Sequence, residues 1–180
     1  MKTIPHWING QYYEGSPTGR FEVENPGTGD IEAELLQASD ADLDHAVDVA
    51  RRAQKEWARV PLAKRTAIMF RMRQLVLDHQ DEMARMIVAE HGKNYSDAVG
   101  EIQRGRETLD FATAINAALK GEYSFDVSTG VDIHTLRQPV GVVAGICPFN
   151  FPAMVPMWMH PLAIATGNAF ILKPASATPS

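Results

Sequence analysis

Residues 138–172 contain no Asp, Glu, Lys or Arg, and beyond Arg137 the only charged side chain is that of Lys173. A run of that length raises the question of a bilayer-spanning helix. Proline answers it. Pro148, Pro152, Pro156 and Pro161 interrupt the run, and Gly141, Gly145 and Gly167 loosen it further. A membrane helix tolerates one such break, whereas this many imply short buried elements joined by turns. The run reads as a core and not as a membrane span.

Within it, residues 141–146 are continuously apolar, as in a strand buried on both faces of a parallel sheet. Pro152 suits the first turn of a helix over about residues 153–165, and residues 168–172 form a second buried strand. Strand, crossover helix and strand make a βαβ unit, the signature of an α/β fold. Two parallel strands do not complete a sheet, so the chain is expected to be the leading part of a longer protein.

The front of the chain alternates between both periods. Asn9-Gly10, set between Trp7-Ile8 and Gln11-Tyr12-Tyr13, is a hairpin signal. Phe21-Glu22-Val23-Glu24 alternates and ends at Asn25-Pro26-Gly27, and residues 31–38 are a further strand. Ser39 with Asp42 forms a capping box, followed at helical spacing by Leu43, Ala46, Val47, Ala50, Ala53 and Trp57. Pro61 opens a second helix with Ile68, Met72, Leu75 and Val76 as its buried stripe. A third runs over about residues 80–90 and stops at Gly92. A fourth, over about residues 96–119 with Val99, Ile102, Leu109, Ala112 and Ile115 inward, stops at Gly121. Residues 123–127 and 131–137 then flank Ser128-Thr129-Gly130 as a hairpin-like arm.

Composition removes several classes of function. With 180 residues, 45% apolar and 22% charged, the chain is of ordinary globular make-up and one domain in size. A net charge of −5 argues against a nucleic-acid partner, which needs a basic face. The single cysteine, Cys147, excludes a disulfide framework and a multi-cysteine zinc site, and the histidines show no HxxxH spacing. The first residues have neither an apolar signal core nor an Arg-rich transit pattern, so a reducing cytoplasm is the expected location.

Five positions could carry chemistry, each with a plainer alternative. Asn150 follows a parallel strand and precedes a helix, in the crevice where such sheets bind ligands; its amide could donate to an oxyanion or cap the helix. Lys173 could bind nucleotide ribose or phosphate, or extend from a strand end into solvent. Cys147 has no His or Lys close in sequence, which favours a buried thiol over a nucleophile. Arg104 and Arg106 flank Gly105 and could hold a carboxylate or form a solvated face. No GxGxxG or GxxxxGK[ST] phosphate loop is present.

Taken together, Gln138-Pro139-Val140-Gly141-Val142-Val143, Pro148-Phe149-Asn150-Phe151-Pro152, Gly167-Asn168, Leu172-Lys173-Pro174 and Thr178-Pro179 resemble the aldehyde dehydrogenase superfamily. The combination is highly specific at these spacings, and Ile8-Asn9-Gly10 with the early helices extends the resemblance over the whole chain. PFNFP followed by Met154-Val155-Pro156 and Trp158-Met159 is similar to the CoA-acylating malonate- and methylmalonate-semialdehyde dehydrogenases.

This resemblance implies a Rossmann-like cofactor domain, of which residues 1–121 and 139–180 are the N-terminal part. Residues 122–138 would be the β arm that joins subunits into a homodimer or homotetramer. The nucleophilic cysteine, the base glutamate and the catalytic domain would lie beyond Ser180. Asn150 would be the amide donor of the oxyanion hole, and Lys173 would bind the adenosine ribose. Cys147 and Phe149 would line the cofactor cleft, and Arg104 would meet the substrate carboxylate. The superfamily usually has Glu where this chain has Ser176. That change removes a repulsion against a 2′-phosphate, so NAD is the expected cofactor with NADP possible.

The implied reaction begins with cysteine attack on a semialdehyde carbonyl and oxidation to a thioacyl-enzyme. Loss of CO₂ and transfer to coenzyme A then give an acyl-CoA. A CoA-independent semialdehyde dehydrogenase, releasing the acid, is the alternative enzyme. If the cell makes only these 180 residues, the product would instead be a nucleotide-binding fragment without turnover.

Overall fold

Turn chemistry places the first strands. A computed structural model describes residues 1–180, with β1 at Lys2–Ile4, β2 at His6–Ile8 and β3 at Gln11–Tyr13. Asn9 and Gly10 take φ of 55° and 74°, the pair of positive values a type I′ turn requires, and β2 and β3 pair antiparallel across it. Next come β4 (Gly19–Glu24) and β5 (Ile31–Gln37), joined through the turn at Asn25, whose side-chain oxygen accepts from the Gly27 amide at 2.9 Å. They form a three-stranded sheet ordered β1-β5-β4, with β1 parallel to β5 and β4 antiparallel to it.

Four helices follow: α1 (Asp40–Trp57), α2 (Leu62–Asp78), α3 (Gln80–His91) and α4 (Tyr95–Thr113). The capping box opens α1 as the sequence indicates, with Ser39 and Asp42 bonded reciprocally. The buried Asp42 carboxylate does more. It also accepts from the Ser16 amide at 3.1 Å and from the Tyr13 hydroxyl at 3.1 Å, so it ties the β2–β3 hairpin and the following loop to the helix. These bonds, those from Ser39 foremost, hold its carboxyl well below the usual carboxylate range.

Three helical readings need correction. Leu43 and Ala53 of α1 are exposed, and Ala46, Val47, Ala50 and Trp57 carry the packed side. In α2, Ile68 and Leu75 face solvent; the buried stripe is Arg65, Thr66, Met69 and Val76, because Arg65 turns inward to serve another helix. And α4 ends at Thr113, not near Leu119. Beyond it amides bond back to i−3 carbonyls, as Ala114 does to Phe111 at 3.0 Å, while the Thr113 hydroxyl takes the Asp110 carbonyl at 2.7 Å. Gly121 therefore does not cap the helix. It lies against the base of the next hairpin, where a Cβ would come 2.1 Å from the Thr135 carbonyl oxygen.

That hairpin pairs β6 (Tyr123–Ser128) with β7 (Val131–His134), and every residue in both strands is exposed. The βαβ unit then appears where the uncharged run predicts it: β8 (Val142–Ile146), α5 (Met154–Ala165) and β9 (Ala169–Lys173), with β8 and β9 parallel. Burial of β8 is incomplete, contrary to the sequence reading. Val142 and Val143 are half-buried and Gly145 is covered by Phe170 and Met159, while Ala144 and Ile146 are open. No helix is long and apolar enough to cross a membrane.

The core gathers between the helices. Met69 and Val76 of α2, Ala84 and Ile87 of α3, Ala98, Ile102, Leu109 and Ala112 of α4, and Met157 and Ala165 of α5 form one cluster. Helices α4 and α5 come close together at Gly105 of α4, where a Cβ would stand 2.4 Å from Met157 Cε and 3.2 Å from the Met154 Cα. Helix propensity favours alanine there by about 1 kcal/mol. Overpacking against backbone costs about 1–3 kcal/mol. The difference, roughly 0–2 kcal/mol, is expected to appear as a lowered midpoint for Gly105→Ala in a denaturant titration; a raised midpoint would mean that α5 gives way freely.

Candidate active site

The loop from Cys147 to Ala153 joins β8 to α5, and the parallel ladder fixes its start. Ile146 pairs with Lys173, and the Cys147 amide donates to the Lys173 carbonyl at 3.0 Å. Cys147 and Lys173 therefore sit side by side at the carboxyl ends of two parallel strands, the usual ligand edge of such a sheet. The Cys147 side chain is buried, and desolvation pushes its thiol up against the opposing influence of the Lys173 charge. It is a packed thiol without an activating base.

Lys173 projects into solvent with its Nζ 3.5 Å from Ser176 Oγ, so these two candidates share one place. Phe149 is largely exposed, and its ring stacks on His91 at 6.5 Å and 27°. Burial, reinforced by the nearby Lys93 charge, lowers the His91 imidazole below its ordinary value despite the Glu101 carboxylate. An uncharged ring thus backs the loop at neutral pH.

Asn150 does not cap α5. The cap position falls at Ala153, which has no side-chain acceptor. The first amides of α5 turn instead to Glu101 of α4, whose Oε1 accepts from Ala153 at 2.8 Å and Met154 at 3.1 Å. The Asn150 side chain is exposed and makes no hydrogen bond within the chain, which leaves its amide free to meet a ligand. Its carbonyl accepts from Lys93 Nζ at 2.9 Å.

Glu101 and Lys93 were not among the sequence candidates. Glu101 carries a signal: it falls in register with Ala98, Ile102 and Gly105, so an acid interrupts the buried stripe of α4. Lys93, one residue past the glycine that ends α3, carries none.

Arg104 stands one turn along α4 from Glu101. It lines a cleft of about 480 Å³ between α4 and α5, together with Glu107, Thr108, Phe111, Trp158 and Leu162. No carboxylate of the chain pairs with it, whereas Arg106 is drawn toward Asp110 at 3.8 Å. Of the two arginines beside Gly105, Arg106 shares Asp110 with Arg73, and Arg104 has no carboxylate partner. A larger cleft of about 720 Å³, beside Arg85 and Tyr95, contains none of the candidate residues.

Residues 12–180 match the aldehyde dehydrogenase family. The malonate-semialdehyde dehydrogenase 2 of Geobacillus thermodenitrificans (strain NG80-2) is 48% identical over 179 residues, covering 99% of this chain and 37% of the relative. The crystal structure of a methylmalonate-semialdehyde dehydrogenase from Oceanimonas doudoroffii superposes with a TM-score of 0.96 at 47% identity, over 100% of this chain and 37% of that one. A protein from Sinorhizobium meliloti 1021, assigned to the same activity and solved in complex with NAD, gives a TM-score of 0.96 at 42% identity, over 99% and 36%. The chain thus spans about 37% of the length of the curated relatives it matches.

A raised, buried thiol makes a direct prediction, since Cys147 is the only cysteine. Iodoacetamide at pH 7.5 should label the native 180-residue chain at least about tenfold more slowly than the same chain in denaturant. Equal rates would place the sulfur in an accessible, activated setting.

Proposed function

The chain belongs to the aldehyde dehydrogenase family, and from that premise we propose that the full-length protein oxidises a short semialdehyde bearing a carboxylate, malonate or methylmalonate semialdehyde. The observation that carries this substrate class is the unpaired Arg104 guanidinium in the cleft with Phe111 and Trp158. A cation beside Phe111, Trp158 and Leu162, with Glu107 and Thr108 as the polar side of the groove, suits a small molecule with one anionic end.

The residues divide the work as follows. Asn150 donates its amide to the oxygen that gains charge when the carbonyl is attacked. Cys147 takes no part in the attack, and the nucleophile belongs to the part of the enzyme outside residues 1–180. Lys173 and Ser176 bind the ribose of NAD, while Cys147 and Phe149 wall the cofactor cleft. Their fit to that role is supported by an unpaired lysine and a hydroxyl gathered at the carboxyl end of β9. Bound NAD supplies the oxidant. Coenzyme A accepts the acyl group after CO₂ is lost, as PFNFP and Trp158-Met159 suggest. Residues 1–121 and 139–180 are the leading part of a Rossmann-like domain. The β6–β7 hairpin, with Tyr123, Phe125 and Ile133 exposed, is the arm that joins copies into a homodimer or homotetramer in the cytoplasm.

A second reading rests on Ser176, which lacks the carboxylate that would repel a 2′-phosphate: a CoA-independent enzyme that accepts NADP as well.

Two substitutions in the full-length enzyme test the assignment. Arg104→Ala should lower kcat/KM for carboxylated semialdehydes by about 2–3 kcal/mol, roughly 30- to 150-fold, and spare propanal. Equal losses on both substrates would make Arg104 structural. Ser176→Glu should raise the NAD over NADP preference by about tenfold, through repulsion of a 2′-phosphate carrying nearly two negative charges. A preference that does not move would show that position 176 does not face the ribose.

A further inference from the structure

The loop that carries Asn150 is set from outside itself. Its own side chains supply no cap for α5, and the chain's one buried ion pair lies directly beneath it. Lys93 Nζ and Glu101 Oε2 are 2.5 Å apart, with the lysine side chain 11% exposed and the glutamate 1%. Each partner also reaches the loop. Glu101 holds the amides of Ala153 and Met154 at the loop's far end. Lys93 donates to the Asn150 carbonyl and lies 4.7 Å from the centre of the Phe151 ring. At its near end, the loop is fixed by the Cys147 bond to the Lys173 carbonyl.

A pair needed only for stability would have no reason to bond the backbone of this residue in particular. Burying two charges is costly, and apolar side chains of similar volume commonly serve stability as well or better. Here the pair fixes the peptide from which the Asn150 side chain departs. We infer that Lys93 and Glu101 are positioning residues, a clamp that orients the Asn150 amide toward the developing oxyanion. This rests on the oxyanion role proposed for Asn150. A lock through one backbone carbonyl acts on direction, and an error of about 1 Å in such a group can cost up to roughly a hundredfold in rate.

The test is a double-mutant cycle in the full-length enzyme, read as the pre-steady-state rate of NAD reduction with propanal, an uncharged aldehyde. Asn150→Ala should slow that rate by about 10²-fold. Lys93→Met should slow it by about tenfold when Asn150 is present and by less than about twofold when Asn150 is already alanine. The affinity for NAD should be unchanged throughout. A loss of the same size in both backgrounds overturns the positioning role and leaves the oxyanion role intact. Full activity in Asn150→Ala overturns both. Should Lys93→Met fail to fold, Glu101→Gln goes through the same cycle; it keeps an oxygen for the α5 amides and removes only the pairing charge.

Discussion

Helix α5 is the member on which the rest depends, and its neighbours hold it at both ends. It has no charged residue, no capping side chain at its N-terminus, and Pro161 within it. Its N-terminal amides end on Glu101. At the other end, the Trp57 indole donates to the Ile164 carbonyl at 2.8 Å and the Arg65 guanidinium to the Ala165 carbonyl at 3.1 Å. An anion at the positive end and a cation at the negative end also complement the helix dipole. Three other helices therefore meet through α5: α1 by Trp57, α2 by Arg65 and α4 by Glu101. Removing any one partner would strand a buried polar group, a cost of about 1–3 kcal/mol for a neutral group and more for a charge.

This suspension explains why two chemically different features lie so close together. Glu101 and Arg104 are three residues apart on α4, so the anchor of the Asn150 loop and the free guanidinium of the cleft belong to one rigid helix, about 4.5 Å apart along its axis. Gly105 lets α5 approach that same turn. Loop and cleft hold a common frame without any direct bond between Asn150 and Arg104.

Much of the fold could be read from local signals. The type I′ turn at Asn9-Gly10, the capping box of Ser39 and Asp42, the end of α3 at Gly92 and the βαβ unit all depend on residues near one another in the chain. What failed depended on distance. Ile68 and Leu75 looked like core because apolar periodicity cannot foresee that Arg65 will turn inward to cap a helix a hundred residues later. Asn150 looked equally like a cap because the acceptor that displaces it, Glu101, lies about fifty residues earlier. The candidate residues were visible one by one, but their roles came from the family resemblance. The pair beneath the loop escaped notice because nothing in the spacing of Lys93, Glu101 and Asn150 links them.

The β6–β7 hairpin shows the opposite economy. It orders itself from within: the Tyr123 hydroxyl donates to the Asp132 carboxylate, which also accepts from the Asp126 amide, and the Glu122 amide bonds Thr135 Oγ1. None of its strand residues is buried against the helices. Its exposed residues can therefore be substituted without repacking a core, and a surface that meets them gains a ligand whose entropy was surrendered beforehand.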